Sequence, residues 1–202
     1  MSEQKFRHTF TIIDNMVDEA IEEAGEAGEQ ITCKKGCAHC CHLLVEVSWE
    51  EARELALWLV AQEPEKQTYF KQKVFKAAES ARNVFLSDDR WKKYADGWGY
   101  DDDLAEEIYD AYFYGKQRPC PFLEDNLCAA RDSRPTPCRL HLVSSDPALC
   151  SRDTKDSDDY EVPASVEELQ DYSAPIMSAM TPDGRWGQMA ILVERVLKEE
   201  FA

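Results

Sequence analysis

No stretch of the 202-residue chain comes near the roughly 20 consecutive apolar residues that a bilayer-spanning helix needs. The opening segment, SEQKFRHTFTIIDN, lacks the positive stretch followed by an apolar one that directs export. Basic residues are scarce. Against 40 Asp and Glu stand 23 Lys and Arg, a formal net charge of -17 that repels nucleic-acid phosphates and anionic lipid surfaces. The expectation is a soluble, cytoplasmic protein with neither nucleic acid nor membrane as partner. Strand–helix alternation is missing too, which argues against parallel-sheet α/β architectures.

What is present suffices for an ordinary core, since 44% of the residues are hydrophobic and 10% aromatic. The length suits one domain, residues 1–202. The periodicity predicts a mainly α fold with an irregular, cysteine-rich metal-binding segment. Phe6, Phe10, Ile13, Val17 and Ile21 form the stripe of an amphipathic helix over 6–24, ended by Gly25 and Gly28. Ser48-Trp49-Glu50-Glu51 has the form of a capping box and opens a helix through Leu59. A third helix follows Pro64, with Tyr69, Phe70, Val74, Ala78, Ala81 and Phe85 as its buried face, and a fourth spans 102–114.

Between Lys116 and Pro163, prolines and clusters of Asp, Asn and Ser make regular helix improbable over most of the segment. Ser165-Val166-Glu167-Glu168 reads as a second capping box, opening a helix toward Met180. After the turn Thr181-Pro182-Asp183-Gly184, a terminal helix is expected over 186–201. The charged run at 151–161 reads as a solvated loop, or alternatively as a docking surface for a protein partner. The aromatics Trp91, Tyr94, Trp98, Tyr100, Tyr109, Tyr112, Phe113 and Tyr114 read first as core and second as the wall of a ligand pocket.

Eight cysteines in a reducing compartment point to metal rather than to disulfides. Cys33, Cys37, Cys40 and Cys41 form one group, with Gly36 allowing a tight turn between the first two; Cys120, Cys128 and Cys138 form another. Deprotonated sulfur is a soft, charged donor suited to zinc and iron. Neighbouring residues tend to point apart, so Cys40 and Cys41 together suggest a polynuclear centre or two sites. Seven thiols also exceed the four that one tetrahedral ion uses, which suggests more than one metal ion.

His141, three residues after Cys138, is the best-placed nitrogen donor; His39 and His42 read as outer donors or exposed side chains, and His8 as incidental. Cys150 reads equally as an eighth ligand and as an ordinary buried thiol. Arg131, Arg134 and Arg139 are expected to donate to carbonyls or to offset thiolate charge, with binding of an anionic substrate as the alternative.

Cys33-x3-Cys37-x2-Cys40 also matches the four-iron cluster spacing of radical SAM enzymes, but those resemble a strand–helix barrel, and Cys41 and the second cysteine group are foreign to them. The full pattern adds Cys120-Pro121-Phe122-Leu123, Asn126-x-Cys128 and Arg134-Pro135-x-x-Cys138-Arg139. Over about residues 30–141 it resembles the zinc- or iron-chelating CxxxCxxCC domain, the YkgJ-like cysteine-cluster family. The resemblance implies chelation by Cys33, Cys37, Cys40, Cys41, Cys120, Cys128 and Cys138. Flagellin lysine-N-methylases are similar in their cluster, and for them an iron-sulfur centre and methyl transfer are implied. Three roles are open: a structural or redox centre, a metalloenzyme, and a metal store or carrier. The spacing and the spare ligands favour iron or an iron-sulfur cluster over zinc.

Overall fold

The computed structural model describes residues 3–97, 99, 102–115, 118–151, 160–180 and 184–201. Mainly α, as expected, it runs in the order α1 (Glu3–Glu26), β1 (Glu46–Ser48), α2 (Trp49–Val60), α3 (Pro64–Phe85), α4 (Asp102–Tyr114), β2 (Leu123–Glu124), β3 (Leu127–Cys128), α5 (Thr136–Leu140), α6 (Ala164–Met180), β4 (Trp186–Gln188) and α7 (Met189–Glu200).

Two strand-to-helix units lie side by side. β1 and β4 pair antiparallel with Val47 opposite Gly187, and each strand runs directly into a helix capped by its last residue. Ser48 forms the expected capping box: its hydroxyl accepts from the Glu51 N–H at 3.2 Å while Glu51 accepts from the Ser48 N–H at 2.9 Å. Gln188 does the same work on α7, accepting from the Ile191 N–H at 3.0 Å. Residues 186–188 are thus strand rather than the first turn of the terminal helix. Their partner is 140 residues away in sequence, beyond the reach of local periodicity.

Behind this ribbon α2, α3 and α7 pack together. Leu55, Leu59, Phe70, Val74, Leu192, Val193 and Val196 form their common core. Phe70 is buried as expected, but Tyr69 is 45% exposed, because Phe70, Val74, Ala77, Ala81 and Val84 take the inward stripe. A second cluster joins α3, α4 and α7 through Trp91, Tyr94, Ile108, Tyr112 and Ile191. Gly97 adopts φ +88° there, and a Cβ on it would lie 2.5 Å from Ile191 Cγ2. Trp98, Tyr100, residues 152–159 of the acidic run and residues 181–183 of the expected turn lie outside the described residues.

Opposite this slab, α1 packs on α5 and α6 around Phe6, Phe10, Ile13, Leu140 and Val166. α1 does not end at Gly25. Gly28, at φ +86°, follows the helix while the Glu29 N–H reaches the Ala24 carbonyl at 2.8 Å, a Schellman closure. Ser165 is not a cap either; it lies inside α6 and its hydroxyl donates to the Ala20 carbonyl at 2.7 Å, fastening α6 to α1.

Candidate metal centre

The first cysteine group occupies the loop between α1 and β1. The Thr32 N–H donates to the Val143 carbonyl at 2.9 Å, and the Cys37 N–H donates to the Lys34 carbonyl at 2.9 Å in a turn where Gly36 takes φ +92°, the tight knuckle expected of it. A single 3-10 turn, His39–His42, then carries Cys40 and Cys41.

The second group follows α4. The hairpin of β2 and β3 turns on Asp125 and Asn126, both at positive φ, a two-residue turn without glycine that Asp and Asn tolerate. It carries Cys120 just before it and Cys128 on β3. Between them Phe122, 1% exposed, is driven into the α2–α3 core, with ring centroids 5.6 Å from Trp58 and 6.3 Å from Phe70. Cys138 sits on α5.

The two groups meet directly: the Cys120 N–H donates to the Cys41 carbonyl at 2.7 Å. Cys33, Cys37, Cys40, Cys41, Cys120, Cys128, Cys138 and His141 all line one cavity of about 1370 Å³, bounded on the far side by Phe10, Asp14, Val17 and Ile21 of α1. His39 and His42 do not line it, nor does Cys150, which is 4% exposed at the end of the turn Pro147–Cys150. His8 is exposed on α1. Of the described members of the aromatic series, Tyr109 lines the cavity, Trp91, Tyr94, Tyr112 and Phe113 are buried, and Tyr114 is exposed.

Two glutamates hold the second group in place, a role the sequence did not reveal: Glu51 reads there only as the capping-box partner of Ser48, and Glu54 is not singled out. Glu51 is fully buried, and while one carboxylate oxygen serves Ser48, the other accepts from the Thr136 N–H at 2.7 Å, so one side chain caps both α2 and the helix bearing Cys138. One turn on, Glu54 accepts from the Ser133 hydroxyl at 3.3 Å and pairs with Arg7 at 3.0 Å. Two acidic residues three apart on an otherwise apolar face were the available signal. Arg139 behaves as expected of a structural arginine, donating to the Arg134 and Asp132 carbonyls and to Asp14, with its guanidinium 4.3 Å from the Phe10 ring.

All eight cysteines are free. Six of the thiols resist ionisation. The Cys40 thiol is pushed up chiefly by its hydrogen bond with Cys41 and then by burial, while Arg134 pulls against this. Burial first, then the nearest sulfurs, raises Cys33, Cys120 and Cys138, and burial also raises Cys128. Burial pushes Cys150 up to about 12, with Cys33 next in influence. Burial lowers His141, keeping its imidazole neutral and able to ligate.

A concentration of thiols that penalises its own negative charge is suited to a cation, beside which a coordinating thiol gives up its proton. Two buried nitrogens, His141 Nε2 and Arg134 Nε, find no hydrogen-bond partner among the described residues, and both residues line the cavity. The donor set therefore fits a thiophilic metal, with His141 as a nitrogen donor and Arg134 as countercharge. Among the described residues no three His, Cys, Asp or Glu side chains stand as a finished coordination set.

Residues 32–165 match the model of the family described as CxxCxxCC, putative zinc- or iron-chelating domain. The chain belongs to that family. The match runs past His141 to the first turn of α6, so it takes in Cys150 as well as the seven motif cysteines. Searches of curated proteins and of solved structures found no match. No helix among the described residues is long and apolar enough to cross a membrane.

Proposed function

We propose that this member of the CxxCxxCC family holds a multi-thiolate zinc or iron-sulfur centre in a structural or electron-handling role, with Cys33, Cys37, Cys40, Cys41, Cys120, Cys128, Cys138 and His141 as its donors. The observation that carries this reading is the meeting of two cysteine groups, some 80 residues apart in sequence, on one cavity. The ligand chemistry fits zinc and iron alike. Iron is preferred because the thiols outnumber what one tetrahedral ion uses.

Anaerobic purification followed by metal analysis and Mössbauer or X-ray absorption spectroscopy tests it. Stoichiometric iron with sulfur ligation and a brown, reducible chromophore is the expected result; stoichiometric zinc in colourless protein selects the structural zinc centre. Protein without metal, all thiols freely titratable, overturns the reading.

A second reading, metalloenzyme, draws on the size of the cavity. About 1370 Å³ is more than an ion fills and exceeds the usual ~300–1,000 Å³ of small-molecule sites. Catalytic metal sites keep one position open, structural ones do not. Displacement of a metal-bound solvent by cyanide or a small thiol, seen as a shift in the metal's absorption, favours this reading. Rapid metal exchange without loss of helicity favours a store or carrier.

A further inference from the structure

Arg131 and Arg134 stand three residues apart on one 3-10 turn, Arg131–Ser133 with Arg134 as its cap, and the Arg134 N–H donates to the Arg131 carbonyl at 3.3 Å. We propose that this pair binds the carboxylate or phosphate group of a small amphipathic molecule whose apolar part lies along the α1 wall of the cavity. The site goes beyond the chelating reading and does not depend on which metal the cysteines hold.

Side chains three apart in a 3-10 turn eclipse one another, so the two guanidiniums leave the backbone on the same side. Both arginines line the cavity. The turn that carries them is held from two directions. Ser133, between them and buried, donates to Glu54 of α2 at 3.3 Å, while Arg139 donates to the Asp132 and Arg134 carbonyls, each at 2.7 Å. Two like charges are thus fixed on one face of a pinned turn, an arrangement that an oxyanion accepting from both would relieve. Arg134 Nε is buried and has no hydrogen-bond partner among the described residues. Such a donor is costly until an acceptor reaches it.

The surrounding charge also favours an anion. Acidic residues outnumber basic ones 40 to 23 in the chain, yet six basic and five acidic side chains line this cavity. Two of the acids are taken, Glu54 by Arg7 at 3.0 Å and Asp14 by Arg139 at 2.5 Å. Lys34, Lys35, Arg131 and Arg134 form no ion pair among the described residues. Thiolates account for some of that positive charge, but they do not account for an apolar wall. Val17 and Ile21 of α1 line the same cavity, as does Leu127 on β3, which is 42% exposed. A charged fork facing apolar surface in a space of about 1370 Å³ suits an organic anion rather than a bare inorganic one.

Isothermal titration calorimetry of the reduced, anaerobic full chain tests this, with phenyl phosphate, benzoate, inorganic phosphate and phenol as probes and the metal content of each sample measured alongside. Phenyl phosphate or benzoate is expected to bind, the tighter of the two naming the head group, with inorganic phosphate and phenol each weaker by about tenfold or more. Arg131→Gln should weaken that binding about tenfold with the metal content unchanged, and Arg134→Gln should weaken it at least as much. Arg90→Gln, whose arginine pairs with Asp88 and Glu107 outside the cavity, should leave it unchanged. Arg131 is exposed, so Arg131→Gln decides if Arg134→Gln does not fold. A wild type that binds neither aromatic anion overturns the proposal, as does an affinity that is unmoved in Arg131→Gln or lost only together with metal. Protein that binds the anion but holds no metal overturns the chelating reading alone.

Discussion

Leu55, Leu59, Phe70, Val74 and Leu192 are each no more than 1% exposed, whereas Cys33, Cys37, Cys40, Cys41, Cys120, Cys128 and Cys138 are all only partly buried around an open cavity. The slab of α2, α3 and α7 is held by apolar burial and completed helix caps. The cysteine-bearing layer has little of either: its regular structure amounts to a two-residue hairpin and a five-residue helix, and its sulfurs oppose one another's ionisation. One region is finished by its own side chains. The other needs something to close it.

Metal removal gives the largest expected effect. Thiolate zinc sites contribute an apparent ~10–16 kcal/mol, comparable to the ~5–15 kcal/mol that holds an ordinary domain together. Under a chelator, hydrogen exchange should accelerate across residues 31–45 and 118–150 while 49–60 and 189–200 keep their protection. Equal loss in both regions would erase the contrast between them.

Core truncation comes next, at about 3–5 kcal/mol for Phe→Ala. Phe85→Ala removes packing from the second cluster, which holds neither Phe122 nor a cysteine, so chemical denaturation should show the loss while the metal count is unchanged. Phe122→Ala removes a ring that sits between Cys120 and Cys128 yet belongs to the slab's core. It should lower stability and metal content together. If Phe122→Ala spares the metal, the two regions are less tightly joined than the packing implies.

Legibility in the sequence divides along the same line. In the slab, local rules sufficed: Ser48 and Glu51 announced α2, Pro64 opened α3, and Gly115 follows α4. Where the same rules failed, a long-range partner had intervened. Ser165 matched a cap but spends its hydroxyl on Ala20, and Trp186 to Gln188, apparently helical, pair with β1. The donor residues were legible individually, because thiol chemistry is local. Their shared cavity, the α1 wall and the carboxylates of Glu51 and Glu54 were not, since each depends on segments brought together only by folding.

Glu51 lies on the seam between the regions. In Glu51→Gln the amide cannot accept from Ser48 and Thr136 as a carboxylate does, and a buried donor left unsatisfied costs about 1–3 kcal/mol. The loss should appear in thermal denaturation together with weaker competition against a zinc chelator, because α5 carries Cys138. Unaltered zinc competition in a destabilised Glu51→Gln protein would confine Glu51 to the slab.

The finest distinction is the sign of pH dependence. Burial pushes Glu194 on α7 up, but Arg82 of α3 and Lys198, the latter at 3.0 Å, outweigh it and hold the carboxyl below its ordinary value. As acid is added the unfolded chain therefore takes up this proton first. The contribution is present above the ordinary glutamate value of ~4.3 and is lost as pH falls through the depressed one. Glu51 is the reverse: burial raises it despite the bonds from Thr136 and Ser48, so the folded state is protonated first and acidification through the raised value stabilises. Urea denaturation at successive pH values should show the stability gap between wild type and Glu194→Gln closing as pH falls below ~4.3. The gap to Glu51→Gln should widen over the interval above it. Gaps moving in the same direction would mean that the glutamate inside the slab and the one at its seam experience the same electrostatic surroundings.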